Sequence, residues 1–413
     1  MIHFENFTLE NGLRVLVHED PMTQIAVLNI HYNVGSRDEN ENQTGFAHLF
    51  EHLMFGGSEN ISSYDEALQQ AGGENNAFTS TDITNYYLTL PSFNIETGFW
   101  LESDRMLSLS FDPHVLEVQR KVVVEEFKQR YLNQPYGDLW LKLRPLCYKV
   151  HPYKWPTIGK EIGHIENATM DEVKNFFRKY YTPNNATLVI AGNIKTDEVK
   201  KLSEKWFGEI PAGEINRRLL PREPEQKEPR FLQIEAGVPA HSITRAYHMP
   251  ARFDPAYYPA DLLSDILGRG KSSRLYNQLV QEDKIFSSIN SYVTGSLDPG
   301  LLVIEGKLNM GVEVELAEKE ISKIINKLKS EPIEDKELEK VVSQAESTIV
   351  FSEVEILNRA MNLAFFDLSG DAGNVNLELE KIKEVSAVNI RESANNILRD
   401  ENCSTLHYLS KLN

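Results

Sequence analysis

The sequence predicts an α+β protein of two similar domains, each an antiparallel-rich sheet with helices packed on one face. Three observations carry this. At 413 residues the chain is too long for a single hydrophobic core. Strand-like and helix-like stretches alternate along it. Past a polar stretch near the middle, the same succession begins again.

The elements read in order as follows. The chain enters a strand signal almost at once from Met1-Ile2-His3-Phe4. Residues 26–32 alternate apolar and polar side chains, the pattern of a half-buried strand. Residues 44–55 read as a helix closed by Gly56-Gly57. Residues 85–90 are β-rich and end at Pro91. A helix follows over 92–110, with Phe99, Trp100, Met106 and Leu107 at core spacings, and another over 116–130. Residues 171–179 form a helix with apolar Val173, Phe176 and Phe177, leading into a strand at 186–191.

The Pro- and Glu-rich stretch 211–229 marks the domain boundary. This gives a first domain over 1–212, a linker over 213–230 and a second domain over 231–413. In the second half a strand at 242–249 corresponds to the one at 26–32, and a helix at 261–268 stands in the place of the helix at 44–55.

Composition narrows the function. A net charge of −18 argues against nucleic-acid binding, which needs a basic stripe. It suits attraction of basic peptides, or simply keeps the chain soluble. No run of about eighteen apolar residues is present, so no membrane span is expected. The start lacks a basic-then-apolar leader, which points to the cytoplasm, the alternative being a periplasmic protein whose leader was removed. Cys147 and Cys403, far apart, read as ordinary buried thiols, not a disulfide framework or metal ligands.

The most informative stretch is His48-Leu49-Phe50-Glu51-His52. Residues four apart lie one above the other on a helix, so His48 and His52 can offer two imidazole nitrogens to one metal ion. Glu51, three residues after His48, lies on the same side, where it can accept a proton from a water beside the metal. The plain alternative is an amphipathic surface. Against it, Phe46, Leu49, Phe50, Leu53, Met54 and Phe55 make this helix apolar nearly all round, and buried polar groups need partners. Catalytic zinc takes three protein ligands and keeps one open position. The helix at 116–130 supplies the best third ligand, from Glu125 or Glu126; neighbours on a helix point about 100° apart, so only one can face the metal.

An inverted His-x-x-Glu-His motif followed some seventy-odd residues later by Val123-Val124-Glu125-Glu126 resembles the M16 metallopeptidases. That family includes insulysin, pitrilysin and the mitochondrial processing peptidase. The likeness covers nearly the whole chain, through residues 8–15, 33–39, 71–80, 84–90, 181–193 and 272–276. It implies one Zn2+ per chain on His48, His52 and Glu126, with Glu51 as base in peptide hydrolysis. It also implies a substrate-binding edge strand at Asn76, Ala77, Phe78 and Thr79, to which an extended peptide adds. Met54 and Phe55 either line a pocket or pack in the core. The second domain, lacking the motif, should cover the site without binding metal.

Two departures from the family pattern stand out. Where many relatives have a glutamate seven residues before the third ligand, this chain has Gln119. Where they carry an arginine and, seven residues on, a tyrosine that grip the substrate backbone, it has Val280 and Ser287. The resemblance then implies the zinc-bearing subunit of a heterodimer, whose paralogous M16 partner supplies the Arg/Tyr pair; a homodimer is the alternative. A closed chamber would restrict substrates to peptides of about ten to forty residues, with the 211–229 linker letting the halves open and close. The other readings are a catalytically inert M16-fold structural subunit and a peptide-binding scaffold.

Overall fold

The computed structural model describes residues 1–214 and 219–411. They form two compact units. Unit 1 comprises Met1–Gln129, Trp155–Leu220 and Val350–Leu377; unit 2 comprises Arg130–Lys154, Pro221–Ile349 and Glu378–Asn413. The chain therefore passes between the units at five places, not through one linker. Of the predicted linker, residues 215–218 lie outside the described residues, and the part from Pro221 onward is docked on unit 2. There the Glu223 carboxylate accepts the backbone N–H groups of Lys149, Val150 and His151 at 2.7–2.9 Å. The buried Gln226 side chain donates to the Cys403 carbonyl at 2.9 Å.

Eleven strands make two sheets among the described residues. In unit 1 they are β1 (Glu5–Thr8), β2 (Arg14–Glu19), β3 (Ile25–Tyr32), β4 (Glu74–Thr79), β5 (Thr84–Pro91) and β6 (Ala186–Gly192). In unit 2 they are β7 (Arg230–Ala236), β8 (Ser242–His248), β9 (Phe286–Val293), β10 (Leu301–Leu308) and β11 (Cys403–Ser410). The first sheet runs β1-β2-β6-β3-β5-β4 and the second β7-β11-β8-β10-β9. Each has one parallel pair, β2 with β6 and β7 with β11, and is otherwise antiparallel. Without β1, the two orders and pairings correspond strand for strand. The internal repeat legible in the sequence is thus a repeat of topology. Helix Tyr257–Gly268 falls between β8 and β9, as helix Phe46–Leu53 falls between β3 and β4.

Each half of the chain lends a helix to the other unit's sheet. Helix Ile356–Asp367, from the second half, lies on β6, β3 and β2. It is tied at both ends: Asp367 accepts Arg14 at 2.6 and 2.8 Å and Thr187 at 3.0 Å, and Arg359 donates to Asp20 at 2.7 Å. Reciprocally, helix Leu139–Cys147, from the first half, packs Leu139, Leu143 and Cys147 against Ala246, Val303 and Leu406 of the second sheet. The other face of that sheet is backed by a separate cluster that includes Leu263, Ile321 and Ile390.

This exchange alters how β3 reads. Its alternation implied that Asn29 and His31 face water, yet both are buried. His31 pairs with Thr187 and Thr187 with Arg14, so these side chains share the sheet face covered by helix Ile356–Asp367. Asn29 accepts from Asn85 at 2.8 Å on that face. Leu107, read as a core residue, is instead exposed, since helix Ile95–Leu107 ends there.

No helix among the described residues is long and apolar enough to cross a membrane. Both cysteines are free and buried. Burial pushes the Cys147 thiol up to about 12, which leaves almost no thiolate near neutral pH. A water-soluble maleimide is expected to leave Cys147 unmodified in the native protein and to label it after denaturation, read by intact mass.

Candidate metal centre

The site is assembled in unit 1 from three elements. Helix Phe46–Leu53 begins after Gly45, whose φ of 90° lies in the left-handed region that favours glycine. Its apolar face is the core: Phe46, Ala47, Leu49, Phe50 and Leu53 are buried. Phe50 stacks on Tyr181 with ring centroids 5.1 Å apart. The polar residues of this helix, His48, Glu51 and His52, are half-buried on its open side. Met54 is core, and Phe55 packs edge-on against Tyr64.

The second element is helix Pro113–Phe127, started by the Asp112 side chain accepting the His114 N–H at 2.7 Å, with proline in the first turn. Val123, Val124 and Phe127 bury one side of it and Glu125 is exposed, which turns Glu126 toward the histidines. The Glu126 carboxylate lies 3.7 Å from His48 Nε2 and 3.4 Å from His52 Nε2. One ligand atom from each of the three side chains falls within 4.8 Å of the others. Tetrahedral ligands at about 2.0–2.1 Å from zinc stand roughly 3.3–3.4 Å apart. Two imidazoles and a carboxylate at this spacing are therefore a donor set that fits zinc with one position left open.

The third element is β4, at the sheet edge, where among the described residues it pairs only with β5. Asn76 and Phe78 are exposed, while Ala77 and Thr79 are half-buried. Asn76 Oδ1 accepts the Ala77 N–H at 2.8 Å. Thr79 lies beside Glu51. Burial raises the Glu51 carboxyl above its ordinary range, Thr79 and His52 pull it down, and the Glu126 charge pushes it up again.

Of the residues singled out from sequence, His48, His52 and Glu126 come together, Glu51 lies beside them and the 76–79 strand borders them. Gln119, two turns before Glu126, is half-buried on the same helix face. In unit 2, Val280 packs against the core cluster. Ser287 is exposed on β9 and donates to the Lys307 carbonyl at 3.0 Å. Two features went unread. Arg105 is buried under the site, its guanidinium 4.4 Å from the Tyr86 ring centroid and 4.7 Å from that of Tyr64, and ion-paired with Glu102 at 2.5 Å. Their i, i+3 spacing was the available signal. Glu39 caps the His48 helix from six residues before its N-cap, where a glycine N-cap followed by an apolar helix left the capping group to be sought upstream.

Residues 14–138 match the family described as Insulinase (Peptidase family M16), and residues 167–345 match the one described as Peptidase M16 inactive domain. The chain is 32% identical over 345 residues to the zinc protease PqqE of Helicobacter pylori, covering 82% of this chain and 77% of that protein. It is 27% identical over 361 residues to the uncharacterized zinc protease YmxG of Bacillus subtilis, covering 87% and 86% respectively. Among solved structures, a protease from Helicobacter pylori superposes with a TM-score of 0.92 at 27% identity, covering 99% of this chain and 100% of that one. A peptidase M16 inactive domain from Pseudomonas fluorescens shares the fold, with a TM-score of 0.89 at 18% identity over 99% and 98% of the two chains. Similarity of this extent in sequence, in both domain matches and in fold leads to one assignment: the chain belongs to the M16 peptidase family.

Proposed function

We propose that this chain is a zinc-dependent endopeptidase acting on extended peptides. The observation that carries the reading is the convergence of His48 Nε2, His52 Nε2 and the Glu126 carboxylate from two helices, with Glu51 beside them. A zinc ion held by those side chains supplies Lewis-acid polarisation to a water and to the scissile carbonyl. Glu51 takes the proton of the attacking water and delivers it to the departing amine. A raised carboxyl pKa suits that exchange, and Glu51 lies beside the Thr79 end of β4. The open edge of β4 offers backbone hydrogen bonds to a substrate strand, which favours unfolded or short peptides over folded proteins.

We further infer that the active form pairs with a second M16 chain bearing the arginine and tyrosine that Val280 and Ser287 replace here, a homodimer being the alternative. A second reading, an M16-fold subunit that binds peptide without cutting, draws on the match to a domain described as inactive. That match spans 167–345 and contains none of His48, Glu51, His52 or Glu126.

The test is metal analysis with a quenched-peptide assay, on the chain alone and mixed with a paralogue from the same genome lacking the motif. One zinc per chain is expected, with cleavage lost to a chelator, restored by zinc and raised by the paralogue. Glu126→Gln should weaken zinc binding by on the order of 100-fold or more, beyond the loss typical of residues that only support a ligand. Zinc without cleavage, partner present, favours the binding-only subunit.

A further inference from the structure

The loop over residues 35–39 sits between β3 and the His48 helix and holds two parts of the site at once. On one side, Glu39 accepts the N–H of Gly45 at 2.9 Å and the N–H of Ala47 at 2.8 Å, both bonds buried. Gly45 precedes the helix and has no side chain to cap it, so Glu39 satisfies a first-turn donor that would otherwise stay open. Ala47 is the residue directly before His48. Burial pushes Glu39 up to about 8 even with these donors facing it, so this carboxyl sits where placing it is costly.

On the other side, the same loop grips the far end of the edge strand. Ser36 N–H donates to the Ser80 carbonyl at 3.2 Å and Arg37 N–H to the Thr81 carbonyl at 2.9 Å. The Arg37 guanidinium pairs with Asp82 at 2.9 Å, both side chains buried. Gly35 makes this approach possible: a Cβ there would stand 2.5 Å from the Thr81 carbonyl oxygen. From a third direction, Trp155 Nε1–H donates to the Ser36 carbonyl at 2.9 Å. Thus the backbone carrying His48 and the strand end carrying Thr79, beside Glu51, share one anchor.

We propose that the 35–39 loop sets the His48 helix in register with the peptide-bearing edge strand, Glu39 positioning His48 and Arg37 positioning the strand end at 79–82. The proposal rests on the peptidase reading above. Both are positioning residues; neither touches substrate. The two residues have separable consequences, because Glu39 acts on the metal side and Arg37 on the peptide side. An ångström of misplacement at a reacting group costs rate well out of proportion to its size.

The test uses the full-length chain, with the partner if one is required. Zinc affinity is measured by competition with a chromophoric chelator, and kcat and KM on a quenched peptide. In Glu39→Gln the amide keeps one acceptor but turns its NH2 toward the second N–H donor. Zinc affinity is expected to fall about 10-fold, within the range for groups that orient a ligand, and kcat by about as much, with KM moving less than about 3-fold. Arg37→Met is expected to raise KM about 10-fold with zinc affinity unchanged, and Arg37→Lys, which keeps the charge beside Asp82, to recover part of the loss.

Zinc affinity in folded Glu39→Gln equal to that of the parent overturns the proposal. So does a parallel loss of zinc affinity and KM in both variants, which would mark the loop as general support. If Glu39→Gln does not fold, the Arg37 pair decides: a KM rise confined to Arg37→Met supports the proposal, and no KM change overturns it. If the parent binds zinc and cuts nothing, the peptidase reading fails separately, and the zinc affinity of Glu39→Gln still decides the role of Glu39.

Discussion

Glu51→Gln is expected to bind zinc as the parent does and to lose about 10²–10⁴-fold in kcat, the range for removing a general base. The three candidate ligand atoms belong to His48, His52 and Glu126, and none is altered. An amide of nearly the same shape fills the same half-buried position, so the helix is expected to stay in place. What disappears is the basic oxygen, and a carboxamide cannot take a proton from water at neutral pH. Metal analysis, a thermal melt and single-turnover kinetics on one preparation read all three quantities. Cleavage at the parent rate with zinc bound would remove Glu51 from the role of base.

Leu363→Asp, far from the candidate metal centre in sequence and chemistry, should have the largest effect on folding. Leu363 is fully buried in helix Ile356–Asp367, the segment that the second half of the chain lays on β3 and β6. The substitution removes an apolar side chain and leaves a carboxylate with no partner. Together these cost about 4 kcal/mol or more, against a total stability of roughly 5–15 kcal/mol for a protein. Soluble, cooperatively melting protein is expected to be lost or to unfold at much lower urea. Leu377→Asp, at an exposed position at the end of the same crossing segment, should stay within about 0.5 kcal/mol of the parent. Equal urea midpoints for the two variants would show that the helix contributes little to holding the first sheet.

How legible each feature was depended on how local its cause is. The i, i+4 histidines and the glutamate before the second of them lie within one helix, where spacing alone puts them on one face, and the closing glycines follow directly after it. The edge strand at 76–79 is an expectation from the family resemblance, not from local pattern. Choosing Glu126 over Glu125 needed the family resemblance. The fold supplies the physical reason, since Val123, Val124 and Phe127 take the buried side and leave Glu125 in water. Glu39 stood in a stretch that matched the family, but nothing local joins it to Gly45 and Ala47; only the turn of the chain between β3 and the helix does.

The sequence by itself determined the repeat of two α+β domains, the helix that presents His48, Glu51 and His52, and the family. Tertiary structure decided which sheet each helix covers. The polar residues of β3 point into a buried face because a helix more than three hundred residues later lies across them. Likewise, half of the predicted linker is held by Glu223 and Gln226 in contacts no local pattern encodes. Periodicity reports which side of a strand or helix is apolar, through geometry set by the nearest few residues. It carries no information on what arrives from elsewhere in the chain. A polar side facing water and a polar side paired under a distant helix read alike, and packing alone separates them.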